Sequence, residues 1–76
     1  MATPEGKIKA ALKKRLNELG VYAFWPVQTG YGAATLDCIG CWQGRFFAIE
    51  CKAPGKQMTL RQQLVASIIH EAGGLV

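Results

Sequence analysis

The sequence predicts a small α/β domain in which a helix, three strands and a second helix follow one another, in the order αβββα. Two observations lead to this prediction: an N-cap signal precedes each of two helix-like segments, and two strand-like segments are separated only by Gln43-Gly44. Half of the 76 residues are apolar and 18% are charged, which is the composition of a globular protein. A chain of this length has room for a single domain, over residues 1–76.

The first helix is predicted over residues 4–19. Thr3 is a favoured N-cap residue, Pro4 suits the first helical position, and Glu5 places a negative charge at the positive end of the helix dipole. Gly20 is a typical residue just after a helix. Apolar residues recur at helical spacing between these signals, at Ile8, Ala11, Leu12, Leu16 and Leu19.

The first strand is predicted within residues 21–27, which are rich in Val, Tyr, Phe and Trp. Pro26 lacks a backbone donor, so this segment belongs at a sheet edge or a strand end. Residues 28–34 are small, polar and punctuated by glycine, and we expect a loop there. The second and third strands are predicted over residues 36–42 and 45–53, joined as a tight hairpin.

The register of this hairpin brings two acidic residues together. If Trp42 faces Arg45, then Asp37 lies directly opposite Glu50, and their side chains share one face of the sheet. Lys52 lies on the same face because it is two residues beyond Glu50. The sequence therefore predicts a cluster of two carboxylates and one ammonium group at the open end of the hairpin.

The second helix is predicted to begin after Thr59, because Thr59 and Gln62 form a capping-box pattern. Gly73 marks its end. Leu75 and Val76 resemble the first residues of a further strand, and we expect the chain to end just before that strand. The apolar stripe of the helix is formed by Leu64, Val65, Ile68, Ile69 and Ala72.

Charge and composition favour some partners and exclude some classes. Nine basic against five acidic residues give a formal charge of +4, which favours polyanions, although a merely solvated basic surface is an equal alternative. No apolar run approaches the roughly 18 residues of a membrane span, and no secretory segment follows Met1, so we expect a cytoplasmic protein without a membrane partner. Three cysteines, an odd number, argue against a disulfide framework.

Two adjacent carboxylates in an apolar hairpin repel each other, so a compensating cation is expected. Lys52 offers one positive charge. Mg²⁺ would compensate better, since it prefers one or two carboxylates together with water and phosphate oxygens, and the backbone carbonyl of Cys51 is a further candidate ligand. Such a site suits phosphodiester hydrolysis, with Lys52 stabilising developing charge. The alternative is a carboxylate pair that is bridged to lysine and has only a structural role.

This arrangement resembles the PD-(D/E)xK nuclease superfamily, and more narrowly the VRR-NUC (virus-type replication-repair nuclease) domain in its stand-alone bacteriophage form. That resemblance implies a small restriction-endonuclease-like core. This chain departs from the family pattern in that the strand that normally follows the last helix is expected to be truncated. The resemblance covers nearly the whole sequence: Glu5 in the first helix, the glycine-bearing loop before Asp37, the Glu50-Cys51-Lys52 strand, the Gly55-Lys56 turn, Thr59 with Gln62, and the Ala72-Gly73-Gly74 end.

The resemblance implies a metal-dependent deoxyribonuclease. It implies that Asp37 and Glu50 bind Mg²⁺ or Mn²⁺, that Lys52 is the catalytic lysine, and that Gln62 lies at the site. Glu5 is implied as a further candidate metal contact. For Gln62 a role in the capping box alone has equal weight, and for Glu5 a favourable charge in the first helical turn is the stronger interpretation.

The resemblance also implies partners. Stand-alone phage members of the family act as homodimers on branched DNA such as Holliday junctions, in the cytoplasm of a bacterial host. The rival interpretations are a non-catalytic nucleic-acid-binding module with a nuclease-like fold and a dimerising structural domain. Residues with basic or aromatic side chains are candidates for DNA contacts, namely Lys7, Lys14, Tyr31, Lys56 and Arg61.

Two further signals favour structural roles. Cys38 and Cys41 have the spacing of a metal or redox motif, but in the hairpin they fall on opposite faces, which favours core packing over zinc binding. His70 is placed near the end of the second helix, where the dipole favours a positive charge. We expect most of the aromatic side chains to be buried.

Overall fold

The computed structural model of the protein describes residues 3–27 and 35–76. The predicted αβββα order is confirmed. The loop predicted at residues 28–34, including the candidate DNA contact Tyr31, lies outside the described residues. The elements are α1 (Pro4–Glu18), β1 (Tyr22–Phe24), β2 (Cys38–Trp42), β3 (Arg45–Ile49) and α2 (Leu60–Glu71).

Both helices begin at the predicted caps. The Thr3 hydroxyl accepts the backbone N–H of Gly6 at 2.9 Å, and Pro4 opens α1. Thr59 and Gln62 form a complete capping box: the Thr59 hydroxyl accepts the N–H of Gln62 at 3.1 Å, and the Gln62 side chain accepts the N–H of Thr59 at 2.9 Å. These bonds satisfy donors that the first helical turn would otherwise leave unpaired, so each helix has a fixed starting point.

The three strands form an antiparallel sheet in the order β1-β2-β3. Gln43 and Gly44 both have positive φ angles, 52° and 78°, as a two-residue hairpin turn of type I′ requires. The predicted register is confirmed, because Trp42 pairs with Arg45 and the ladder continues to the pair of Cys38 and Ile49. Asp37 and Glu50 are the next residues beyond this last pair, one on the side of each strand.

The strands are shorter than predicted. Residues 21–27 contribute only Tyr22–Phe24, and β2 and β3 stop at Cys38 and Ile49 instead of extending to residues 36 and 53. At the open end of the hairpin the backbone N–H groups of Asp37 and Cys51 donate to side-chain carboxylates and not to backbone carbonyls. This replacement ends the ladder at the residues that form the candidate site.

The C-terminal residues reach the outer edge of β3. Leu75 donates its N–H to the carbonyl of Phe46 at 3.0 Å and accepts the N–H of Ala48 at 2.8 Å. These two bonds make an isolated parallel bridge between Leu75 and Phe47. The strand-like character predicted for Leu75 therefore has a structural counterpart, limited to a single bridge.

The expectation that most aromatic residues are buried is wrong. Tyr22, Phe24, Trp42 and Phe46 are exposed. The apolar stripe predicted for α2 is also exposed at three of its five positions, Leu64, Ile68 and Ala72. Three short strands and two helices offer too little surface to cover them. Among the described residues the buried apolar core consists of Leu36, Cys38, Ala48 and Cys51.

Leu36, Cys38 and Cys51 of this core are the chain neighbours of Asp37 and Glu50, so the buried core borders the open end of the hairpin. None of the described helices has both the length and the apolar character needed to cross a membrane.

Candidate functional site

Asp37 and Glu50 are held together by a reciprocal lock, in which each carboxylate accepts a backbone N–H from the chain segment of the other. The N–H of Asp37 donates to Glu50 Oε1 at 3.1 Å, and the N–H of Cys51, the residue after Glu50, donates to Asp37 Oδ2 at 3.0 Å. Their side chains are only 11% and 7% exposed. The two chain segments therefore fix both carboxylates at one place, as the predicted register requires.

The second oxygen of each carboxylate is held by a positively charged or polar side chain. Asp37 Oδ1 lies 3.1 Å from the Lys9 ammonium group, and Glu50 Oε2 lies 3.4 Å from that of Lys52. Gln62 Nε2 also donates to Glu50 Oε2, at 3.1 Å. Each carboxylate thus has one oxygen committed to the backbone and one oxygen directed at side-chain donors.

The charge on Glu50 is disfavoured by its surroundings. Burial raises the pKa of Glu50, and the negative charge of Asp37 raises it further, while the bond from the Asp37 backbone and the nearby Lys52 act in the opposite direction. This is the mutual repulsion expected of two carboxylates that share a poorly solvated site. A cation at this position is therefore favoured on electrostatic grounds.

Gln62 both completes the cap of α2 and lies at the carboxylate pair. Its side-chain oxygen completes the capping box of α2, and its side-chain nitrogen donates to Glu50. The cap holds the side chain near the start of α2 with its nitrogen directed at the carboxylate. Helix capping and site geometry are thus coupled through one residue, so the two interpretations of Gln62 do not exclude each other.

Lys9 is a site residue that the sequence did not single out. The sequence predicts that the basic residues on the polar face of α1 are solvated or face phosphate groups. Nothing in its spacing distinguishes Lys9 from these other residues. In the structure Lys9 bonds to Asp37, and this bond raises the pKa of Lys9 despite the opposing effect of its burial. No local sequence signal could have identified it, because the contact depends on how α1 packs against the hairpin.

Glu5 lies in the first turn of α1, and Cys51 directly follows Glu50 at the site. Glu5 is half-buried in the first turn of α1, which fits the helix-dipole interpretation. Burial raises the pKa of the Cys51 thiol, with a further increase from the charge of Asp37 and a small one from Glu5. Glu5 is thus close enough for its charge to be felt, while Cys51 takes part through its backbone N–H.

The candidate DNA contacts that the structure describes lie on the surface. Lys7 and Lys14 are exposed on α1, Lys56 is exposed in the turn before α2, and Arg61 is exposed in the first turn of α2, directly before Gln62. Exposure leaves these side chains accessible to phosphate groups, and Lys56 and Arg61 lie within the segment that leads from Lys52 to Gln62.

The donor chemistry of the site fits a divalent cation. Among the described residues no group of three or more His, Cys, Asp and Glu side chains could hold a metal ion. A Mg²⁺ site does not need such a group, because one or two carboxylates with water and substrate oxygens suffice. The two oxygens that now face lysine ammonium groups, Asp37 Oδ1 and Glu50 Oε2, are the ones available to such an ion.

The Cys38-x-x-Cys41 motif is not assembled into a site. Cys38 is buried and Cys41 is exposed, and both are free thiols, as is Cys51. Burial raises the pKa of Cys38. The expectation of opposite faces agrees with this difference in exposure.

Comparison of the chain with protein-family models, with curated proteins and with solved structures found no match.

Proposed function

We propose that this protein is a divalent-metal-dependent endonuclease that hydrolyses phosphodiester bonds in DNA, related to the VRR-NUC domains of the PD-(D/E)xK superfamily. The observation that carries the proposal is the reciprocal lock between Asp37 and Glu50, with Lys52 on the same chain segment. It supplies two fixed carboxylates and one ammonium group within a single site, as the E-x-K pattern implies.

The chain's own residues have distinct tasks in this proposal. Asp37 and Glu50 would hold Mg²⁺ or Mn²⁺, which when bound polarises a phosphate and lowers the pKa of a water molecule. Lys52 places a positive charge beside Glu50, where it can stabilise negative charge that develops on the phosphate. Gln62 fixes the orientation of Glu50 through its bond to Oε2. The carbonyl of Cys51 and the carboxylate of Glu5 remain predicted additional ligands.

The net charge supports DNA as the substrate. A formal charge of +4 attracts a polyanion, and the exposed Lys7, Lys14, Lys56 and Arg61 are the side chains proposed to contact its phosphates. The proposed contact of Tyr31 with a base lies outside the described residues. The proposed place of action is the cytoplasm of a bacterial host, which keeps thiols such as the three free cysteines reduced.

The outer face of α2 supports a homodimer. Leu60, Leu64 and Ile68 follow one another at four-residue spacing and are 83%, 62% and 60% exposed. Contiguous exposed apolar side chains on a small protein are typical of an interaction surface. A two-fold dimer would present two sites to a branched DNA substrate such as a Holliday junction, and it would also stabilise a chain with a small core.

Cleavage of labelled DNA tests the proposal. Branched and linear duplexes are incubated with Mg²⁺ or Mn²⁺ and with wild-type protein, Asp37→Ala or Lys52→Ala. Exposed Glu71→Gln serves as a control that changes one charge far along α2. We expect metal-dependent cutting by wild type and the control, faster on branched DNA, and loss of at least a hundredfold in the two site variants, as for removal of a principal electrostatic group. Equal cutting by all four proteins would exclude the proposed site.

A non-catalytic nucleic-acid-binding module is the second candidate. It is favoured by the observation that protein donors already contact all four carboxylate oxygens of Asp37 and Glu50. Such a module would bind DNA with strong salt dependence, would show no metal-dependent cutting, and would bind equally well after Asp37→Ala. The same cleavage experiment, with a gel-shift assay added, separates the two functions.

A further inference from the structure

Lys9 reaches Asp37 from α1, whereas Asp37, Glu50 and Lys52 lie at the open end of the hairpin. Its ammonium group lies 3.1 Å from Asp37 Oδ1, while Asp37 Oδ2 is occupied by the N–H of Cys51. The Lys9 side chain is 36% exposed and that of Asp37 is 11% exposed. The ion pair therefore has one partner fixed inside the site and one partner at its boundary with solvent.

The oxygen that Lys9 occupies is also the oxygen that a cation needs. Asp37 Oδ2 is directed at the backbone, so Oδ1 is the oxygen of Asp37 that faces the site. An ammonium group and a divalent cation at one carboxylate oxygen repel each other strongly in poorly solvated surroundings. Lys9 and a divalent cation therefore compete for Asp37 Oδ1, and withdrawal of the ammonium group relieves the repulsion.

Lys9 is better able to withdraw than Lys52. Lys52 is two residues from Glu50 on the same chain segment, and its side chain is 22% exposed, against 36% for Lys9. Lys9 extends from α1 on a flexible four-carbon side chain, and its greater exposure gives the ammonium group access to water. Its withdrawal leaves the reciprocal lock of Asp37 and Glu50 unchanged.

We propose that Lys9 is the resident counter-ion of Asp37, and that a divalent cation has to displace it in order to bind. This inference rests on the proposed function, since it assumes that Asp37 is a metal ligand. In the metal-free protein Lys9 offsets the repulsion between Asp37 and Glu50. In the metal-bound protein its ammonium group moves toward solvent, beside the site, and the energy of the broken ion pair lowers the affinity for the metal.

Titration calorimetry with Mn²⁺ alone, on the full chain, tests this displacement. The variants are Lys9→Met and Lys9→Gln, of which the second keeps a polar side chain in case the first does not fold. Arg15→Met is the matched control, because it removes one positive charge from the same helix and breaks an exposed ion pair with Glu18 that lies away from the site. Folding of each variant is checked by circular dichroism.

We expect both Lys9 variants to bind Mn²⁺ roughly three- to fivefold more tightly than wild type, the upper part of the range for loss of one partly exposed ion pair. Arg15→Met should stay within about twofold of wild type on the same scale. A merely structural lysine would give the opposite sign, since its loss would loosen the site. Unchanged or weaker binding in the Lys9 variants, with measurable binding by wild type, would overturn the inference alone. Absence of Mn²⁺ binding by wild type would overturn the proposed function together with it.

Discussion

Gln62 couples the cap of α2 to the candidate site, and this coupling has a measurable energy. Thr59→Ala removes the bond from the Gln62 N–H to the Thr59 hydroxyl, which is worth about 1 kcal/mol for a typical N-cap. Gln62→Ala removes two other bonds, the one from the Thr59 N–H and the one to Glu50. A neutral exposed bond contributes about 0.5 kcal/mol and a bond to a charged group about 1.5 to 3 kcal/mol.

The expected destabilisation of Gln62→Ala is therefore larger. For the bond to Glu50 we take the lower end of the range of about 1.5 to 3 kcal/mol, because Lys52 stays near the same oxygen. Alanine also regains a few tenths of a kcal/mol through its higher helix propensity. The sum is about 2 kcal/mol for Gln62→Ala against about 1 kcal/mol for Thr59→Ala. Gln63→Ala is a matched control, since it removes one exposed bond to the carbonyl of Met58 and should cost about 0.5 kcal/mol.

Urea denaturation at fixed protein concentration, followed by circular dichroism in the presence of a chelator, measures these differences. Equal m-values across the set are required for the comparison, because a changed m-value signals a changed unfolding reaction. At this chain length 1 kcal/mol corresponds to roughly 4 to 8 °C in Tm, so a thermal scan gives an independent check. If Gln62→Ala were no more destabilising than Gln63→Ala, the bond to Glu50 would carry no energy and the coupling would be refuted.

Three further predictions concern the sheet, the thiols and the pH dependence. Gly40→Ala should destabilise the protein by about 1 to 3 kcal/mol in the same denaturation assay, because a Cβ there would collide with the neighbouring strands. Unchanged stability would contradict the close packing of the sheet. Iodoacetamide followed by mass spectrometry should modify exposed Cys41 first, since Cys38 and Cys51 are buried and their pKa values are raised; uniform labelling of the folded protein would contradict this. Burial and the neighbouring carboxylate raise the pKa of Glu50. Above a pH of about 4.5 the folded state therefore keeps a proton that the unfolded state has lost. The stability of the metal-free protein should consequently fall as the pH rises from about 4.5 through the raised pKa of Glu50. Glu50→Gln should flatten this fall in denaturation curves taken across that pH range, and an equally steep fall would contradict the assignment.

Local sequence signals were sufficient for the helix starts and for the hairpin. The Thr59 and Gln62 pattern specifies a capping box without help from the rest of the chain, and Gln43-Gly44 specifies a turn whose geometry sets the register. From that register alone, Asp37 and Glu50 could be placed opposite each other. Lys52 followed because side chains two residues apart share a face.

Features that depend on tertiary packing could not be predicted in the same way. The ion pair of Lys9 with Asp37 requires the position of α1 against the hairpin, which no spacing within α1 encodes. The hydrogen-bond ladder between β2 and β3 ends early because the N–H groups of Asp37 and Cys51 donate to side-chain carboxylates instead of backbone carbonyls. The alternating sequence pattern of a strand does not reveal this exchange of acceptors. The exposure of Leu64 and Ile68 arises because the apolar stripe of α2 is wider than the surface available to cover it.

Binding of Mn²⁺ to Asp37→Asn is the most direct test of the claim that this carboxylate pair holds a metal. Asparagine keeps the shape of the side chain and can still accept the N–H of Cys51, so the fold is expected to survive while one charge is lost. We predict that wild type and Glu71→Gln bind Mn²⁺ with similar affinity and that Asp37→Asn binds at least about tenfold more weakly, which equals 1.4 kcal/mol. Equal affinity of Asp37→Asn and wild type would contradict the account.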